Sequence, residues 1–139
     1  MYYITKIFRF PIGHRLSKIG ETSKCFFLHG HNFSLEVRVK SYNLNEKDMV
    51  MDFSDLKKLV NEIIDPWDHA MFLNENDNTP VENCNVHRFD GDPTAEVLCR
   101  YLFNEIEGKL PTGIHVDSVS IWETNDSKAT YRESENPYI

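Results

Sequence analysis

Between His29 and Val39 the chain alternates without a break. His29, His31, Phe33, Leu35, Val37 and Val39 hold the odd positions, while Asn32, Ser34, Glu36, Arg38 and Lys40 hold the even ones. A period of two with one apolar and one polar face marks a strand whose sheet is covered on one side and wet on the other. A helix would need a period near 3.6, which this stretch lacks. The pattern predicts an antiparallel sheet with a single covered face. It also sets two imidazoles on that face at the strand's entrance.

The remaining elements follow from the same kind of reading. Tyr3 to about Leu16 reads as a strand, because Ile4, Phe8, Phe10, Ile12 and His14 share one parity and Arg9 the other. Pro11 and Gly13 point to an edge or bulge near its end. Residues 17–24 are polar, contain Gly20 and read as a loop. At residues 53–65 the spacing turns helical, with Leu56, Leu59, Val60 and Ile63 as the stripe and Asp52 or Ser54 as the cap. A second helix is expected from about Ala95 to Glu107, with Thr94 as N-cap after Pro93 and Gly108 at the stop. Ile114 to Glu123 and Lys128 to Arg132 read as strands. Residues 74–92 read as one long polar connection, a kind more often functional or mobile than inert. The order is strand, strand, helix, helix, strand, strand, in one domain spanning residues 1–139.

Composition removes several classes of function. A net charge of −7 argues against a general nucleic-acid binder, which needs a basic face. No apolar run approaches the roughly 20 residues that span a bilayer, and the N-terminus lacks the pattern of a signal peptide. Cys25, Cys84 and Cys99 are odd in number and show no framework spacing, so a reduced, cytoplasmic protein is expected.

Six histidines leave few candidates for chemistry. His29 and His31 share a face, and His14 becomes a third ligand if the first strand pairs beside them. Three histidines with an open fourth position describe a catalytic zinc site, since structural sites are usually closed by four ligands. The plain alternative is three histidines with no common role. Cys25, four residues before His29, is open to three readings: a ligand, a proton-transfer group, or a small hydrophobe. Cys84 and Cys99 read as small hydrophobes. Asp68 beside His69 can orient the imidazole tautomer, although neighbours in sequence often point apart. Glu123 ends an apolar strand; it is either a solvated terminal charge or a carboxylate able to accept two N–H donors from a heterocycle. His87 and His115 have no evident partner.

Together the pieces Phe8-Arg-Phe-Pro-Ile-Gly-His14-Arg-Leu, Cys25-Phe-Phe-Leu-His29-Gly-His31-Asn-Phe, Met51-Asp52-Phe53-Ser-Asp-Leu-Lys, Trp67-Asp68-His69, Pro93-Thr94-Ala95-Glu96 and Trp122-Glu123-Thr124 resemble the 6-pyruvoyl-tetrahydropterin synthase family. Within it they resemble the 6-carboxytetrahydropterin synthase branch of queuosine biosynthesis. The likeness runs from Phe8 to about Arg132.

The resemblance implies an α+β tunnelling fold: a four-stranded antiparallel sheet with two helices on one face, in the order ββααββ. It implies a homo-oligomer, a hexamer built as a dimer of trimers. It implies Zn2+ on His14, His29 and His31, and Cys25, Asp68 and His69 as the catalytic groups. Glu123 would anchor a pterin ring, with Thr94, Ala95, Glu96 and Phe53 lining its pocket. The implied reaction converts 7,8-dihydroneopterin triphosphate to 6-carboxy-5,6,7,8-tetrahydropterin, releasing acetaldehyde and triphosphate. The alternatives are the pyruvoyl branch, which eliminates triphosphate alone, a zinc hydrolase acting on a small substrate, and a non-catalytic zinc- or pterin-binding module. The chain departs from the family at Gly13, where alanine or serine is usual, at Trp67, and in the longer segment between Leu73 and Asp92.

Overall fold

The alternating segment forms one arm of a long antiparallel ladder. A computed structural model describes residues 1–134. Among them the order is β1 (Tyr2–His14), β2 (His29–Ser41), α1 (Phe53–Ile64), β3 (Met71–Asn74), β4 (Val86–Phe89), α2 (Ala95–Glu107), β5 (His115–Thr124) and β6 (Ser127–Tyr131). β1 and β2 pair in continuous register from Tyr2 opposite Ser41 to His14 opposite His29. The covered face carries Phe8, Phe10 and Ile12 from β1, with Phe33, Leu35, Val37 and Val39 from β2 all fully buried. β5 joins the other side of β2, and β6 follows β5, both antiparallel.

Both helices bury their stripes against this face. Asp52 caps α1 by accepting the Ser54 N–H, and Leu56, Val60 and Ile64 point inward. α1 stops where Pro66 removes a donor. Thr94 caps α2 through the Val97 N–H, and Leu98, Leu102 and Ile106 form the i, i+4 stripe. All of these residues belong to one hydrophobic cluster with the sheet. No helix among the described residues is long and apolar enough to cross a membrane.

The expected four-stranded antiparallel sheet and ββααββ order need correction. The sheet has six strands, in the order β4-β3-β1-β2-β5-β6, and it is mixed. The segment read as an unstructured connection contains β4 and the end of β3, and these two four-residue strands pair in parallel. β3 then adds in parallel to the end of β1, at Gly13 and His14. Strands this short owe their existence to packing. Phe72 and Phe89 meet Trp67 at ring separations of 4.9 and 5.7 Å, and Tyr101 of α2 stacks on Trp67 at 5.6 Å. Trp67 is therefore a core residue beneath the added strands. Gly13 has its own partner: a Cβ there would lie 2.6 Å from the Met71 Cε, so the methionine occupies the space.

Candidate metal centre

The ladder register assembles the three histidines. His14 and His29 are direct cross-strand partners, and His31, opposite Ile12, lies two residues along on the same face. Their ring centroids are 4.4 Å (His14–His29), 5.1 Å (His14–His31) and 5.0 Å (His29–His31) apart. One ring nitrogen from each falls within 4.8 Å of the others, so the three can hold a metal ion.

Second contacts orient two of the rings. The His14 Nδ1–H donates to the Pro93 carbonyl at 2.9 Å, and the His29 Nδ1–H donates to the Phe27 carbonyl at 2.7 Å. A carbonyl can only accept, so each Nδ1 carries the proton and each Nε2 presents a lone pair. Both Nε2 atoms are buried without a hydrogen-bond partner. An unmet buried acceptor costs about 1–3 kcal/mol, and a cation between the rings removes that cost. The residues present thus fit a metal on chemical grounds. His31 lies nearly parallel to the Phe33 ring, at 6.0 Å.

Electrostatics favour the neutral, ligating form. Burial pushes the His14 pKa down to about 4; its bond to Pro93 opposes this, and the neighbouring histidines add to it. Burial also lowers the His31 pKa, with Glu123 pulling the other way. Glu123 therefore lies close enough to influence His31. Glu123 is half-buried near the end of β5, where the pairing with β6 shifts register between Trp122 and Thr124.

The family described as 6-pyruvoyl tetrahydropterin synthase matches residues 3–134. The chain belongs to this family. A protein of Aquifex aeolicus named 6-carboxy-5,6,7,8-tetrahydropterin synthase is 33% identical to it, covering 94% of this chain and 97% of that protein. One of the same name from Haemophilus influenzae is 36% identical, over 96% of this chain and all of that protein. The structure of Caenorhabditis elegans 6-pyruvoyl tetrahydropterin synthase superposes with a TM-score of 0.72 at 25% identity, covering 96% of each chain. These are lyase-type enzymes of the tunnelling fold.

Other expected site residues of this family member fall into two groups. Cys25 sits half-buried in a 3₁₀ turn, Lys24–Phe26, whose cap is Ser23. Its carbonyl accepts the Leu16 N–H at 3.0 Å, which ties the turn to the chain leaving β1. The start of α2 is tied in through Pro93, which precedes Thr94, buried Ala95 and exposed Glu96. Asp68 and His69 do face each other: Nδ1 of His69 lies 2.7 Å from Oδ1 of Asp68, with both side chains exposed. The His69 backbone, at φ 61°, donates to the Pro11 carbonyl, which fixes the pair beside the β1 edge. Among the described residues no hydrogen bond or ion pair joins it to Cys25 or the triad.

Phe53 is apart. It lines an apolar cavity of about 440 Å³ with Tyr2, Tyr3, Ile4, Leu44 and Met49, at the far end of β1. Ten residue steps along β1 separate Ile4 from His14, about 33 Å. Within one chain, Phe53 does not reach the triad.

The sequence reading missed Arg15, Asp77 and Asp92. Arg15 pairs with Asp77 at 2.6 Å, and its guanidinium lies 4.1 Å from the centroid of the Phe26 ring. Asp92 accepts from the Ser17 hydroxyl, the Lys18 N–H and the Asn74 amide. The only available signal was Arg15 standing next to a candidate ligand. The carbonyls of Phe27 and Pro93 leave no mark in a sequence at all.

Proposed function

We propose that the chain converts 7,8-dihydroneopterin triphosphate and one water to 6-carboxy-5,6,7,8-tetrahydropterin, with release of acetaldehyde and triphosphate, at a zinc ion held by His14, His29 and His31. The observation that carries this reading is the pair of buried, unpartnered Nε2 atoms facing one another in the triad, in a chain whose relatives bear the carboxy-synthase name. Bound zinc would supply Lewis acidity at the oxygens of the substrate side chain, making its carbon-bound protons easier to remove.

The chain's own groups then have distinct tasks. Cys25 is the base that takes a proton from the side chain. His69, oriented by Asp68, is the second proton carrier, a role supported by their 2.7 Å contact. Glu123 accepts the N–H edge of the pterin, and its electrostatic pull on His31 supports that. Thr94, Ala95 and Glu96 line the ring pocket at the start of α2. Phe53 serves a pterin site only if it is the site of a neighbouring copy.

A homo-oligomer, a dimer of trimers, belongs to the same proposal. β3 covers only Gly13 and His14 and the His69 N–H takes the Pro11 carbonyl, so among the described residues β1 from Tyr2 to Phe10 offers a hydrogen-bonding edge for a second copy. Three free cysteines support a reducing, cytoplasmic setting.

Incubation of the zinc-loaded protein with dihydroneopterin triphosphate, followed by mass spectrometry, tests the reading. The carboxy product with acetaldehyde is the expected outcome. A pyruvoyl product would move the chain to the neighbouring activity, and no turnover would leave a binding module.

A further inference from the structure

What holds Cys25 in place is not its own burial. The turn Lys24–Phe26 contains no buried residue, and Phe27 and Leu28 after it are exposed. A segment without apolar anchorage is held by whatever polar contacts reach it. Cys25 itself is held by the Ser23 side chain, which accepts its N–H at 3.2 Å, and by the Leu16 N–H at its carbonyl. The Ser23 contact lies within the turn and fixes nothing relative to β1.

The contacts that do fix it converge on residues 15 to 18. The Arg15 guanidinium covers the Phe26 ring at 4.1 Å, immediately after Cys25. Its Nη1 also donates to the Asp77 carboxylate at 2.6 Å, with the two side chains 15% and 4% exposed. Asp77 is made rigid in turn: the Thr79 N–H and hydroxyl donate to its carboxylate, and Arg88 donates to its carbonyl. Asp92 clamps Ser17 and Lys18 from the same connection. A planar cation that stacks on an aromatic face while pairing with a carboxylate is a combination lysine cannot copy.

We infer that Arg15 is a positioning residue, which locks the Cys25 turn against the end of β1 through the stack on Phe26 and the ion pair with Asp77. The connection through residues 75–92 thereby acts on the site without contributing a reacting group. The inference rests on Cys25 being the base, and its test separates the two claims.

Arg15→Gln, Arg15→Lys and Asp77→Asn are prepared as zinc-loaded full chains. For each, kcat and KM are measured with zinc content, along with the rate of iodoacetamide alkylation at Cys25, read by peptide mass spectrometry. The expected result is a fall in kcat of about tenfold or more in Arg15→Gln, with KM within about twofold and zinc unchanged. Alkylation at Cys25 should speed up severalfold, because the freed turn exposes the thiol. Arg15→Lys should fall between, as it keeps the charge and loses the planar face. Unchanged or slower alkylation in Arg15→Gln overturns the inference, even where kcat falls, since Arg15 would then act elsewhere. A kcat loss that tracks zinc loss also overturns it. If alkylation rises while kcat holds, the positioning stands and it is the role of Cys25 as base that fails.

Discussion

The triad and the Cys25 turn lie next to each other and are built in opposite ways. The histidines sit on the β1–β2 ladder, whose register fixes His14 against His29, with fully buried Phe33 behind them. Cys25 sits on a turn with no buried residue, held by a cation–aromatic stack and a few hydrogen bonds. A metal site needs ligand geometry that does not relax, and a ladder supplies it. The proton transfer proposed for Cys25 calls for a group that can meet a substrate as it enters and leaves. The contrast teaches that one site can divide its labour between a rigid and an adjustable support.

Four perturbations break or sharpen that contrast. Cys25→Ala removes the group on the adjustable side, and turnover should fall by about 10²–10⁴ with zinc still bound. Steady-state rates and metal analysis check it, and full activity would end the assigned role. Phe33→Ala strikes the rigid side instead. Phe33 touches the Phe10, His14 and His31 rings, so its loss should cost about 3–5 kcal/mol of stability in denaturant titration.

Acid should separate the two regions. Burial works against the Asp92 carboxylate, yet the Asn74, Lys18 and Ser17 donors keep its pKa below the ordinary value. Burial likewise opposes Asp77, and Thr79 and Arg15 hold its pKa down. A folded pKa below the unfolded one gives stability that is present above the unfolded value and lost as pH falls through the folded one. The clamp should therefore loosen as pH drops below about 4. Hydrogen exchange below about pH 4 should show residues 15–28 and 75–92 opening before the Tyr2–Phe10 stretch of β1, which lies away from buried His14, and simultaneous opening would count against the division. Gly13→Ala should have the smallest effect, under about 1.5 kcal/mol, because the group it meets is the flexible end of Met71. A loss as large as that of Phe33→Ala would mean the backbone has no room to yield.

Much of this was legible in the chain because local patterns carried it. The alternation from His29 to Val39 set the face of β2, and Thr94 after Pro93 marked the start of α2 where it is found. The triad was legible for the same reason, since alternation alone put His29 and His31 on one side. β3 and β4 were not legible, because a four-residue strand such as Val86–Phe89 has too little pattern and is made by distant partners, Trp67 and Tyr101 among them. Backbone acceptors are invisible in principle: nothing in a proline at position 93 says that its carbonyl will orient His14. Asp77 and Asp92 looked like ordinary polar loop residues until the fold brought Arg15, Ser17 and Lys18 to them.

The zinc site proposed on the ladder, from His14, His29 and His31, is open to direct measurement. The most direct test is calorimetric titration of zinc into chelator-treated protein, for the natural chain and for His14→Ala, His29→Ala and His31→Ala. One tight site per chain is expected, which each substitution weakens by about tenfold or more. Zinc binding of undiminished strength in all three variants would contradict it.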